Sequence, residues 1–160
     1  MRIGVISDTH GQLLLAQAAI QMLECLEVER VLHCGDIGSV EVARLFSHWP
    51  TDFVLGNCDW DQDALAGPIG AMGNTLHGRF GGLEIEGRRI ALLHSDDRQK
   101  FADVRTCGSW DLVCYGHTHQ AKIDSHGPTR LLNPGAIHRG NPPSLATVEL
   151  PSLEPMIVSL

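Results

Sequence analysis

One pattern constrains this sequence more than any other. Short apolar runs of strand length repeatedly end in a small polar cluster. Asp8-Thr9-His10 follows the run Arg2–Ser7, Gly35-Asp36 follows Arg30–His33, and Gly56-Asn57 follows Asp52–Leu55. His94 ends the run Arg89–His94, and Gly116-His117-Thr118-His119 follows Leu112–Tyr115. Between the first three runs the apolar residues take helical spacing. Gly11–Glu27 carries Leu15, Ala19, Met22 and Leu26 on one face, and Val40–Ser47 follows a possible N-cap, Ser39, with Trp49-Pro50 closing it. Strand, helix, strand, helix, strand predicts a parallel sheet with right-handed crossovers. In such a sheet the carboxyl ends of the strands gather at one rim, where ligands bind. The five clusters are therefore expected to converge although they are spread over more than a hundred residues.

The rest of the chain reads as strand-rich. Asn57–Thr75 is expected to be loop with one short helix. Leu76–Phe80 and Leu83–Ile85 read as a hairpin turning at Gly81-Gly82, followed by a weak helix over Arg98–Cys107. Ala121–Ser125, Arg130–Leu132, Ser144–Glu149 and Met156–Val158 complete the set. The expected architecture is an α/β fold: a two-sheet sandwich flanked by helices, in α-β-β-α layers, as a single domain over residues 1–160. With 43% apolar residues the chain can bury a sizeable core. No apolar run approaches the ~20 residues of a membrane helix, and the start of the chain is too short for a signal peptide. A soluble, cytoplasmic protein with no membrane partner is expected. The five cysteines lack CxxC spacing, which fits reduced thiols. The net charge of −7 argues against general nucleic-acid binding. It leaves room for a phosphate substrate, because a bound metal supplies positive charge locally.

The clustered residues Asp8, His10, Asp36, Asn57, His94, His117 and His119 offer three carboxylate or amide oxygens and four imidazoles. Mixed oxygen and nitrogen donors suit Mn, Fe, Zn or Ni better than calcium. Seven donors are too many for one closed site and suit two ions if one carboxylate bridges. Two ions ~3.5–4 Å apart can clamp a phosphate and activate water between them. If Asp-x-His and His-x-His stay extended, both side chains of each pair point the same way; if the backbone turns, each can serve a different ion. A single-metal hydrolase acting on an amide or lactone is the reading in which Asp36 does not bridge.

The order and wording of these segments resemble the calcineurin-like metallophosphoesterase superfamily, and most closely its small YfcE-type phosphodiesterases. The matching motifs are Ser-Asp-Thr-His-Gly at 7–11, His-Cys-Gly-Asp at 33–36 and Gly-Asn-Cys-Asp at 56–59, then His94, Gly-His-Thr-His at 116–119 and Asn-Pro-Gly at 133–135. The resemblance implies a dinuclear metal-dependent phosphohydrolase, with phosphodiesters favoured over monoesters. Asp8, His10, Asp36 and His119 would hold one divalent ion, and Asp36, Asn57, His94 and His117 the other. A bridging hydroxide would attack phosphorus in line, with Asp36, Asn57 and His117 as catalytic residues. Manganese is the favoured ion, with Fe, Zn, Ni or Mg as alternatives. A small phosphoester is the expected substrate, and a homo-oligomer is compatible with the branch. The same fold also serves as a non-catalytic scaffold in the retromer subunit, which is the alternative function.

Three positions depart from the family pattern. Cys58 stands where many relatives carry a histidine credited with protonating the leaving group, so poor alkoxide leaving groups are expected to react badly. Ser95 stands where glycine is usual, and Ala136 where serine is usual. His33 is expected to be packed, His48 to sit at a helix end, and His77 to have a possible place at the substrate rim. His126 and His138 are expected in solvated turns, with His138 and Arg139, which follow Asn-Pro-Gly, placed to line the entrance. Asp59 is expected to orient its loop. Cys34 and Cys114 read as small buried apolar residues, and Cys25 lies near the helix's apolar face. Arg79, Arg105 and Arg139 are each placed to contact a second phosphate, and the sequence does not choose among them.

Overall fold

A computed structural model describes the whole chain, residues 1–160. Eleven strands and four helices follow one another as β1 (Arg2–Ile6), α1 (Leu13–Cys25), β2 (Arg30–His33), α2 (Val40–Arg44), β3 (Thr51–Phe53), α3 (Gln62–Ala71), β4 (Thr75–Leu76), β5 (Phe80–Ile85), β6 (Arg88–Leu93), α4 (Arg98–Thr106), β7 (Leu112–Tyr115), β8 (Lys122–His126), β9 (Thr129–Asn133), β10 (Ser144–Glu149) and β11 (Glu154–Ser159). One sheet has the order β11-β10-β1-β2-β3-β4 and the other β5-β6-β7-β9-β8. The strands β1 to β4 run parallel, as do β6, β7 and β9. The two parallel blocks bring the ends of β1, β2, β3, β6 and β7 to the polar turns described below.

Side-chain alternation along the strands builds the layers. On β1, Ile3 and Val5 point between the sheets and join Leu32, Val54, Leu92 and Cys114, while Ile6 faces the helices. Gly4 shares the helix face, where α1 lies so close that a Cβ would meet Leu23 Cδ2 at 2.6 Å. On β7, Leu112 and Cys114 face inward, while Val113 and Tyr115 pack outward with Val104 of α4 and its neighbour Phe101. The result is helices, sheet, sheet, helix, matching the predicted α-β-β-α layering. No helix is long and apolar enough to cross a membrane.

Three local expectations are corrected. The buried face of α1 is Ala16, Ala19, Ile20 and Leu23; Leu15 and Cys25 are exposed. The helix begins at Leu13, so the Leu13-Leu14-Leu15 run falls in its first turn, on the solvent side of the stripe. The hairpin does not turn at Gly81-Gly82. β5 runs straight through both glycines, and the chain reverses at Glu86-Gly87, where both residues have positive φ. The glycines are needed for space, since a Cβ at Gly82 would lie 3.0 Å from the Trp110 ring and one at Gly81 3.1 Å from His77. β4 leaves this region altogether and pairs with β3 in the other sheet. The short helix expected within Asn57–Thr75 is α3, capped by the Asp61 carboxylate on the Ala64 N–H at 3.0 Å.

Leu92 is fully buried between the sheets, and Leu14 on α1 is 80% exposed. Leu92→Ala is expected to lower the unfolding free energy by about 2–5 kcal/mol in urea titrations. Leu14→Ala is expected to change it by less than about 0.5 kcal/mol.

Candidate metal centre

All seven predicted donors lie in the turns that follow the ends of β1, β2, β3, β6 and β7. Six residues at these turns, Asp8, His10, Asp36, Ser95, His117 and His119, take positive φ between 46° and 79°. This region is sparsely used by residues other than glycine and persists only where the surroundings hold it. Here the holding is done by backbone pairing that continues past the strand ends. Asp8 N–H donates to Gly35 O at 3.0 Å, His10 N–H to Asp36 O at 2.9 Å and Gly11 N–H to Ile37 O at 2.9 Å. His138 N–H donates to Asp8 O at 2.9 Å, and Gly116 N–H to His94 O at 3.2 Å. The turns of both sheets are thereby stitched into one frame. Ser95 adopts the left-handed conformation the family's glycine would supply, and its hydroxyl donates to Gly116 O at 3.1 Å.

Both buried carboxylates are anchored on one oxygen by hydrogen bonds and turn the other toward the imidazoles. Asp8 Oδ2 accepts from the Ser7 hydroxyl at 2.6 Å and from the His117 N–H at 3.1 Å. Asp36 Oδ1 accepts from the Cys58 N–H at 2.8 Å. The remaining oxygens face the imidazoles. Asp8 Oδ1 lies 3.2 Å from His119 Nε2 and 3.6 Å from His10 Nε2. Asp36 Oδ2 lies 3.6 Å from His10 Nε2 and 3.4 Å from His94 Nε2. His94 Nε2 also lies 3.1 Å from Asn57 Oδ1, and the rings of His94 and His117 meet edge to face at 5.1 Å. His94 Nδ1 donates to Cys34 O at 2.8 Å, so Nε2 is the nitrogen turned to the centre.

The open question about the two alternating motifs has a split answer. Both backbones turn. Asp8 and His10 nevertheless stay on one side with His119, while His117 goes to the other side with His94. Asp8, His10 and His119 form one group able to hold an ion, and Asp8, Asp36 and His94 form another. A third group is His10, Asp36 and Cys58, so the thiol stands at the edge of the same cluster.

Two atoms in this cluster are buried with no hydrogen-bond partner, Asp8 Oδ1 and His10 Nε2. Buried polar atoms are otherwise almost always satisfied. A cation between them would satisfy both, so the donor set fits divalent metal ions. Asp36 and His94 also compensate each other. Burial alone would raise the Asp36 carboxyl, but the hydrogen bond and charge of His94 hold it well below the usual range. Burial would lower His94, but Asp36 and Asp8 raise it above the ordinary histidine value.

Support behind the donors comes from residues the sequence marked only loosely. Asp59, nearly buried, accepts from Ile37 N–H at 3.2 Å, Gly38 N–H at 2.9 Å and Gly56 N–H at 2.9 Å. It clamps the Asp36 turn to the Asn57 turn, as the orienting role expected for it requires. Asn133 donates to Gly116 O at 3.0 Å and Thr118 Oγ1 at 3.1 Å, fixing the His117-Thr118-His119 turn from β9. Gly56 has no room for a side chain because Asp36 occupies the Cβ position. His33 is fully buried and stacked on Phe53. The Thr9 hydroxyl donates to Ile37 O at 3.0 Å, so the oxygen receives the His33 Nε2–H, also at 3.0 Å. His33 Nδ1 in turn accepts from Gly35 N–H. His77 is not at a substrate rim. Its Nε2 lies 2.8 Å from the buried Asp52, which also pairs with Arg30. His126 and His48 are exposed, and His138 packs edge to face on His10 at 5.7 Å.

The calcineurin-like phosphoesterase superfamily domain matches residues 1–152 of the sequence. The chain belongs to this superfamily. Phosphodiesterase MJ0936 of Methanocaldococcus jannaschii is 28% identical over 138 residues, covering 84% of this chain and 83% of that one. The solved structure of an archaeal phosphodiesterase superposes with a TM-score of 0.92 at 26% identity over the whole of both chains. Vps29 of Entamoeba histolytica, solved with zinc, shares the fold at a TM-score of 0.71 and 21% identity, covering 98% of this chain and 90% of its own. As a metallophosphoesterase the chain has a family reason to bind divalent metal, and its turns provide the groups to do so.

Burial pushes His33 down to about 3, with His94 lowering it further and Asp36 opposing. A histidine held neutral in the fold but protonated when unfolded costs stability as pH falls. The loss begins near the unfolded value of about 6.5 and continues to about 3, at up to ~1.4 kcal/mol per pH unit. In urea titrations of chelator-treated protein between pH 7 and 4, His33→Gln is expected to give a shallower acid decline than the wild type.

Proposed function

We propose that this metallophosphoesterase is a dinuclear phosphodiesterase, acting as one domain over residues 1–160. Asp8, His10, Asp36 and His119 would hold one ion, and Asp36, Asn57, His94 and His117 the second, with Asp36 between them. The observation that carries this reading is the pair of buried, unpartnered atoms, Asp8 Oδ1 and His10 Nε2, in a cluster where Asp8 Oδ2 and Asp36 Oδ1 are already anchored. Divalent transition ions, manganese first, suit the mixed oxygen and imidazole donors. When bound, such a pair of cations supplies an activated water for in-line attack and stabilises charge on the phosphoryl oxygens.

The protein's own part is positioning. Asn57 and His117 lie toward solvent at the mouth, where a phosphate would meet them first, and they orient it over the buried carboxylates. Asp36 is the shared carboxylate, and the Cys58 amide fixes its aim. His94 is held by Cys34 O in the orientation that leaves Nε2 facing inward. The substrate is a small phosphoester, and the name of the Methanocaldococcus relative supports the choice of diester. The compartment that suits reduced Cys34, Cys58 and Cys114 is the cytoplasm.

The scaffold reading draws on the Vps29 likeness alone, and retention of all seven donor side chains favours the enzyme. Hydrolysis of bis(p-nitrophenyl) phosphate separates the two. The expected result is turnover stimulated by Mn²⁺ and abolished by EDTA, with two Mn per chain in metal analysis. Asp36→Asn is expected to reduce kcat by about a hundredfold or more. Folded, metal-loaded protein with no turnover on diesters or monoesters would instead support the scaffold.

A further inference from the structure

Beside His119 the surface opens into a trough of about 640 Å³, lined by Gln120, Arg139, Asn141, Ser144 and Ser159 among others. That volume falls within the range of small-molecule sites and suits a group of nucleotide size. The trough has no acidic residue in its lining, although the chain as a whole carries −7. Its one cation is Arg139.

The three arginines left open by the sequence have different fates. Arg79 is occupied, paired with Asp96 and reaching Gly56 O at 3.4 Å. Arg105 lies on α4 with its guanidinium over the Phe101 ring, 5.7 Å from the centroid. Arg139 has no carboxylate partner and makes no side-chain hydrogen bond. Arg2, Arg30, Arg79 and Arg89 take the ion pairs available to arginine.

The placement of Arg139 is built into the fold. Its predecessor His138 is tied to Asp8 through the backbone and packs on His10. Ile137 is tied to Ser7 at 3.1 Å. Arg139 itself has φ of +64°, the same left-handed backbone as the metal-ligand turns, and it is exposed. Gly140 then folds so tightly over Ala136 O that no Cβ could fit. A free guanidinium on a rigid, strained turn, one residue from a contact with a metal-site histidine, is suited to recognise an anion.

Resting on the phosphodiesterase reading above, we propose that this trough is a subsite for a second phosphate carried by the substrate. Arg139 is its specificity-determining residue. The preferred substrates are then phosphodiesters of nucleotide size that bear an additional phosphate away from the scissile bond. The scissile group sits over the metal centre, and the second phosphate extends past His119 to Arg139.

The test compares two esters with the same scissile bond, thymidine 5′-(p-nitrophenyl phosphate) with and without a 3′-phosphate, on the Mn²⁺-loaded protein. The 3′-phosphate is expected to lower KM by about tenfold, the order of one charge-assisted contact. Arg139→Ala is expected to bring the ratio of the two KM values close to one, and Arg139→Lys to retain part of it. Arg139→Gln serves if the alanine variant does not melt cooperatively. A ratio of one in the wild type, or an undiminished ratio in the folded variants, overturns the subsite. If neither ester is hydrolysed, the phosphodiesterase reading fails, and calorimetric binding of thymidine 3′,5′-bisphosphate against thymidine 5′-monophosphate still decides the subsite. Preference for the bisphosphate that disappears with Arg139 sustains it, and equal binding of the two overturns it.

Discussion

Two carboxylates buried within a few ångströms of each other are the constraint on which this structure turns. Asp8 and Asp36 are both almost inaccessible to water, and like charges at that depth repel strongly. The fold answers with imidazoles on every open side, a raised His94 against a depressed Asp36, and donor geometry that suits cations. Everything around the rim serves to keep those two groups in place against their mutual repulsion. The strained turns, the cross-sheet hydrogen bonds and the Asp59 clamp all act to that end.

This explains why the sheets are arranged as they are. Parallel strands deliver their ends to one rim, and the two sheets each supply part of the donor set. Asp8, Asp36 and Asn57 come from the first sheet, and His94, His117 and His119 from the second. The inter-sheet core of Ile3, Val5, Leu32, Leu92 and Cys114 is therefore also what sets the distance between the two halves of the site. Packing and chemistry are coupled through that layer.

The parts legible from sequence were those with a period or a terminus. The strands β1, β2, β6, β7 and β10 showed as apolar runs, and their polar ends marked the rim. The helical cap at Ser39 was equally local, its hydroxyl accepting from Val42 N–H. What escaped was decided by tertiary contact. Gly81-Gly82 looked like a turn because glycine usually is one, but Trp110 and His77 need the space beside a straight strand. Leu15 belonged to a plausible helical stripe, yet the sheet lies one residue further round. His77 stands near Arg79 in the sequence, which suggests the substrate rim, but Asp52 draws it aside. The choice among Arg79, Arg105 and Arg139 required knowing which cations were already engaged, and composition holds no such information.

The carboxylates also take a notable kind of support. Cys58 and His117 each give a main-chain N–H to a carboxylate, Cys58 to Asp36 and His117 to Asp8. A residue exchange at either position leaves the peptide donor where it was. Position 58 can consequently drift among thiol, imidazole and other tips while the frame beneath stays registered. Descendants of one ancestral scaffold could thereby retune their reactivity at the mouth without rebuilding its foundations.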